Sequence, residues 1–435
     1  MSMLDRRSAI LGSLVAGTLP ALVQGAPDEG ASRATEPLRL RLQEDLKTHA
    51  GFGVKRSGGP GDRATAQWIA ARLGASGFEV RTDPFDVPFF EPALAELRCP
   101  GGAGVPLFVQ PAAVATAPEG LTAPVAAVYS AFDAPAAKDR IALVVLPYSR
   151  HAAIFSQDID ALLKATARAQ PRAIVLVTTG PTGQVIGLNT RRDPVVPMPL
   201  ALMAPADLPT VLAATGTAAP SRLTITGTTG MRSSWNVIAT RRRAAQWLVI
   251  STPRTGWFDC VGERGTGTAV FLELCAWSAR RWPDLSILAL NTGGHEIDFS
   301  GLHKAVAAGP PPRQTRLWAH VGASLACRQA HLLVGRSLGM LDVADTQRAL
   351  MATEGLLPAA AQSFAGLAGL ETPIRVIPGA GELGDIVARG YRNAFAVIGA
   401  HRWFHTQQDT LDKVNAALLH PVYAAHRRLI EHRLG

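Results

Sequence analysis

Three short, nearly continuous apolar runs constrain this chain most: LSILALN at 285–291, RLWAHVGASLA at 316–326 and AFAVIGA at 394–400. A strand with one wet face alternates polar and apolar residues. Runs without that alternation belong in strands covered on both faces, as in a parallel sheet flanked by helices. The intervening segments supply the helices. TGTAVFLELCAWSARRW (266–282) is apolar nearly all round, the mark of a buried helix, and ALLHPVYAAHRRLIEHRL (417–434) is a closing amphipathic one. GDRATAQWIAARLGASGFEV (61–80) keeps helical spacing through Ala66, Ile69, Ala70 and Leu73, ends at Gly77, and runs into a strand. SWNVIATRRRAAQWLVIST (234–252) reads as a strand hairpin. Strands alternating with helices give an α/β class with a doubly wound, mostly parallel sheet, whose chemistry gathers at the carboxyl ends of the strands.

At 435 residues the chain exceeds what one core organises, so two domains and a processed leader are expected. Arg6-Arg7, an apolar stretch from Ala9 to Val23 and the small pair Gly25-Ala26 make residues 1–26 a signal peptide of the twin-arginine type, and the mature protein periplasmic or secreted. The stretch is too short and interrupted to span a membrane, so no integral segment is expected in the mature chain. Residues 27–40 are small and polar, a tether at the head of the first core portion, 27–98. From Cys99 to Thr229 the texture changes to short strands, prolines and glycines, an insert with a β-rich core of its own; 230–435 completes the main core. The net charge of +9 is spread thinly, without a basic stripe interleaved with aromatics, which argues against a nucleic-acid partner. The four cysteines lack metal-finger spacing, and an exported location permits one disulfide without requiring it.

Polar residues able to bind a metal stand just beyond or near the ends of the apolar runs: Glu263 in CVGERGTG, His295-Glu296 in GGHEIDFSG, His320 in WAHVGAS and His405 in WFHTQQDTLDKV. Singly, each reads as a satisfied core or surface residue; together they mark one edge. STPRTGWFDCVGERG adds Arg254, Trp257 and Arg264, residue types that suit a binding cleft.

The order and surroundings of these residues resemble metallopeptidase family twenty-eight, the zinc aminopeptidases and glutaminyl cyclases. FHTQQDTLDKV is similar to the family's closing histidine segment, GERGTGTAVFLEL to its bridging-aspartate loop and helix, GGHEIDFSGL to its paired-glutamate segment, and the insert to a protease-associated domain. Carried over position by position, the resemblance implies one zinc per chain on Glu263, Glu296 and His405. His320 falls near a further ligand position, and His295 stands where the family has its general base. Thr252 and Arg254 fall where the second metal's ligands stand, and a fixed positive charge there disfavours a second cation. The implied activity is exported, zinc-dependent hydrolysis of peptide or amide bonds, with Arg254, Trp257 and Arg264 lining the substrate cleft and His320 or Arg254 steadying the oxyanion. Two other readings are a pseudopeptidase that keeps the cleft as a binding module, and a glutaminyl-cyclase-like acyl transfer.

Overall fold

The computed structural model describes residues 29–332, 337–377 and 379–435; the leader read at 1–26 lies outside them. The expected parallel strands form. Trp247–Pro253, buried at every position, pairs in parallel with Ser286–Thr292 on one side and Thr315–Val321 on the other, and Thr315–Val321 pairs in parallel with Ala394–Gly399. Arg348–Ala352 follows antiparallel, and Ile374–Arg375 ends that side in parallel. The α/β class with a large, mostly parallel sheet is what the apolar runs required.

Two local expectations fail. The strands Ser221–Arg241 and Trp247–Pro253 are not a hairpin, because Ser286–Thr292 lies between them. Trp247–Pro253 has no polar face to leave at a sheet edge, so burial draws it to the centre. From residue 29 on, the small polar segment expected as a tether is helical instead: a helix runs Glu29–Gly51, and Leu42 and Leu46, one turn apart, are fully buried in the main apolar cluster.

The helix Thr266–Arg281 is buried along nearly all its length, since the sheet covers one side while Glu29–Gly51, Pro60–Ala75 and Ala416–Leu434 cover the other. The segment read as an insert, with the ribbon strands that flank it, holds two apolar clusters, one around Phe90, Val105, Val175 and Ile225, the other around Val144, Ile159, Leu176 and Leu202. Its strands Val125–Val128, Ile141–Val145, Ala173–Val177 and Leu200–Met203 pair in parallel. It is joined to the main core by a long antiparallel ribbon, Glu79–Arg98 against Ser221–Arg241, so one 14-stranded sheet continues through both. The four cysteines are free and buried. No helix among the described residues is long and apolar enough to cross a membrane.

Candidate functional site

The carboxyl ends of the parallel strands carry the polar residues, as the fold rule requires. After Trp247–Pro253 the chain loops to Cys260, held at a positive φ of 52°, and enters a π-helical turn, Val261–Gly265. Such turns are uncommon and favour functional positions. The Asp409 carboxylate receives the amides of Gly262 at 2.7 Å and Glu263 at 2.9 Å, a match of negative charge to the positive end of a helix. This fixes Glu263 and Arg264 in the interior, where both are almost wholly buried. The left-handed backbone recurs nearby at Asp298, Phe299, Ser324 and His405, non-glycine residues for which it is unfavourable. Strain of this kind collects where geometry serves a function.

Five of the eight residues singled out in the sequence converge on one another. Glu263 Oε1 lies 2.8 Å from Arg264 Nη2 and 3.0 Å from His405 Nε2. Burial raises the Glu263 carboxyl, but the charges of Arg264 and His405 outweigh it and hold the group well below the usual carboxylate range. Arg264 is anchored from behind by its Nε–H to the Thr255 carbonyl at 2.7 Å. His405 is set from the insert: its Nδ1 is 2.6 Å from the Gly187 carbonyl oxygen, while the Gly187 amide donates to the His405 carbonyl at 2.9 Å. Phe404 stacks on the His405 ring at 3.8 Å between centroids.

His295 and His320 share a carboxylate that sequence reasoning missed. Glu382, on the helix Gly381–Ala388, places Oε1 at 2.8 Å from His295 Nδ1 and Oε2 at 3.5 Å from His320 Nε2. His320 Nδ1 meets the Ser251 hydroxyl at 2.9 Å, and that oxygen accepts from the Trp318 indole at 2.7 Å. Burial drives the His295 pKa well below the usual imidazole value, with the Arg264 charge acting in the same direction. Burial likewise brings His320 down to about 4 and raises Glu382. His295 keeps 15% of its side chain exposed, the most of this cluster.

The other three expected residues do not join the cluster. Glu296 accepts from Ser57 Oγ at 3.1 Å on one oxygen and from Thr255 Oγ1 at 2.6 Å on the other. Its own backbone carbonyl accepts from the Thr190 amide at 2.7 Å. Arg254 is fully buried and internally committed: Nε donates to Asp62 Oδ1 at 2.8 Å, Nη1 to Asn291 Oδ1 at 3.0 Å and Nη2 to the Trp235 carbonyl. Trp257 packs edge-on to Phe108, 5.7 Å between centroids, and against Gly187, where an added Cβ would meet its ring at 2.6 Å. It is a prop for the loop over His405.

The zinc set implied by the resemblance does not fit this arrangement. Glu263 and His405 come together, with both Glu263 oxygens and His405 Nε2 left without hydrogen-bond partners, but Glu296, bonded to Ser57 and Thr255, does not complete a group of three with them, and a guanidinium already faces Glu263. Among the described residues no group of three or more His, Cys, Asp or Glu side chains is arranged to hold a metal ion. Protein zinc sites call for three or four such donors.

A cavity of about 590 Å³ opens where insert and core meet, lined among others by Tyr148, Arg150, Gln347, Ile398 and Phe404. Phe404 is thus the partition between this space and His405.

No protein-family model matches the sequence, and no curated protein does. Solved structures do match. BSAP, a zinc aminopeptidase from Bacillus subtilis, superposes with a TM-score of 0.68 at 14% identity, over 91% of this chain and 94% of that one. A peptidase M28 precursor from Shewanella amazonensis SB2B gives 0.67 at 17% identity, over 92% and 96%. An aminopeptidase from Aneurinibacillus sp. strain AM-1 gives 0.62 at 17% identity, over 91% and 93%. The resemblance read in the sequence is therefore borne out as a likeness of fold: this chain has the zinc exopeptidase-like fold of the M28 aminopeptidases.

Proposed function

We propose that this chain is a hydrolase of peptide or related amide bonds and that its chemistry is done at the cluster around His295. The carrying observation is the His295–Glu382 contact at 2.8 Å, at the strand ends and beside the buried Arg264. With Nδ1–H donated to Glu382, the lone pair sits on Nε2, and burial keeps the ring neutral near pH 7, the state a general base requires. His295 removes the proton from a water as its oxygen attacks the amide carbon, and Glu382 steadies the imidazolium that forms. Arg264 supplies the positive potential in which the carbonyl oxygen becomes an oxyanion. His295 then returns the proton to the departing nitrogen, giving a carboxylic acid and an amine. The single zinc implied by the resemblance is not part of this reading, because Glu296 and Arg264 are oriented against it. Export to the periplasm or beyond belongs to the same proposal and rests on residues 1–26 alone; fractionation of cells expressing the full chain tests it.

A screen of aminoacyl and pyroglutamyl amides tests the activity. His295→Ala is expected to lower turnover by ~10²–10⁴, the usual contribution of a positioned acid–base group, with the fold retained. Full rate in that variant removes His295 from the mechanism. Ligand binding without turnover in the wild type favours a binding module instead.

A further inference from the structure

The misfit between the expected zinc set and the side chains points to a replacement. We infer that Arg264 is the built-in cation of this site and that the chain works without a bound divalent metal. The inference goes beyond the proposed hydrolysis but rests on the same cluster.

Three observations carry it. Arg264 is held from two directions, Nε on the Thr255 carbonyl at 2.7 Å and Nη2 facing Glu263 Oε1 at 2.8 Å, so it is fixed where a surface arginine would be free to swing away. It is 1% exposed, and a buried guanidinium persists only where its charge is matched. The match is Glu263, the carboxylate that the expected zinc needs first. A guanidinium keeps its proton at any pH a protein survives, so it supplies permanent positive charge with no ion to be gained or lost.

The same substitution is repeated at the other metal position read from the sequence. There Arg254, 0% exposed, pairs with Asp62 at 2.8 Å and fills its remaining donors with Asn291 and Trp235. Thus an arginine paired with a carboxylate stands at or beside each place where the fold family implies a cation. The two differ in one respect. Arg254 is enclosed by structural partners, whereas Arg264 faces the same Glu263 oxygen that His405 Nε2 meets at 3.0 Å.

The test uses the full protein, produced in zinc-supplemented medium and purified without chelator. Elemental analysis is expected to find under ~0.1 equivalent of zinc or any other divalent transition metal per chain, and excess zinc or a chelator is expected to move the melting temperature by less than ~1 °C. About one equivalent retained through gel filtration, or a melting temperature lowered several degrees by the chelator, overturns the inference. Arg264→Lys and Arg264→Met separate charge from packing. The lysine variant should melt higher than the methionine variant, which should lose roughly 3–6 °C because Glu263 is left buried and unmatched. A methionine variant as stable as the wild type also overturns it, and should that variant fail to fold, metal content and the chelator scan still decide. Because metal content is read without a substrate, a bound ion would defeat this inference and leave hydrolysis open, while absent turnover would defeat the hydrolase reading alone.

Discussion

Removing the carboxylate at Asp62 should cost the protein a large part of its stability without touching the candidate site. Asp62 and Arg254 are both wholly excluded from water and 2.8 Å apart. At an effective dielectric of ~20 their attraction is roughly 332/(20 × 2.8), about 6 kcal/mol. Asp62 also accepts from the Gly58 amide at 2.8 Å and from Ser234 Oγ at 2.7 Å. In Asp62→Ala the guanidinium stays buried with its charge unmatched, though Asn291 and Trp235 still bind it, so the expected loss is ~3–5 kcal/mol. Urea denaturation measures it. Asp62→Ala/Arg254→Met should recover much of that loss, because no buried charge then remains. Glu91→Ala is the control: its partner Arg232 is 3.3 Å away with both side chains exposed, and the loss should stay within ~1 kcal/mol. A loss under ~1 kcal/mol for Asp62→Ala, or a double variant no better than the single, would refute the view of Arg254 as an internally matched charge.

Gly187→Ala should destabilise the protein by ~1–3 kcal/mol, since its new methyl meets the Trp257 ring at 2.6 Å and pushes away the loop that holds His405; an unchanged melting temperature would show the loop yields freely. His426, fully buried between Phe364 and Phe395, has its pKa lowered by burial from 6.5 to about 4. The unfolded chain therefore binds this proton more readily, and stability present above pH 6.5 should fall by ~3 kcal/mol on acidification to about pH 4. His426→Leu should flatten that part of the profile, and an unaltered acid limb would assign the proton elsewhere.

The strands at the centre of the sheet were legible because burial on both faces removes polar residues from their sequence. Their neighbours were not: Trp247–Pro253 follows Ser221–Arg241 after only a short turn, yet proximity in the chain does not reveal that Ser286–Thr292 pairs between them. Glu29–Gly51 was hidden by its polar composition, and only the Leu42–Leu46 spacing betrayed it. In the site, strand-end position picked out Glu263, His295, His320 and His405, because the topology sends all parallel strands to one edge. The direction of a side chain is a different matter. Nothing in GGHEIDFSG says that Glu296 turns to Ser57 and Thr255, since those donors come from remote segments. Glu382 was missed for a related reason. It shares GAGELGDIV only with Asp385, and nothing in that pair of acids points to His295, which only folding brings to it. The available signal was an acid in the first turn of a short helix after a glycine-rich bend, a pattern shared by many structural helices.

The most direct measurement is hydrolysis of the amide panel by chelator-treated wild type beside Glu382→Gln, a change that keeps the shape and removes the charge facing His295. The account predicts turnover that survives the chelator and a drop of at least ~10² in Glu382→Gln, since an imidazolium forming at His295 then lacks its counter-charge. Turnover that appears only when zinc is added back, or equal rates in the two proteins, would contradict it.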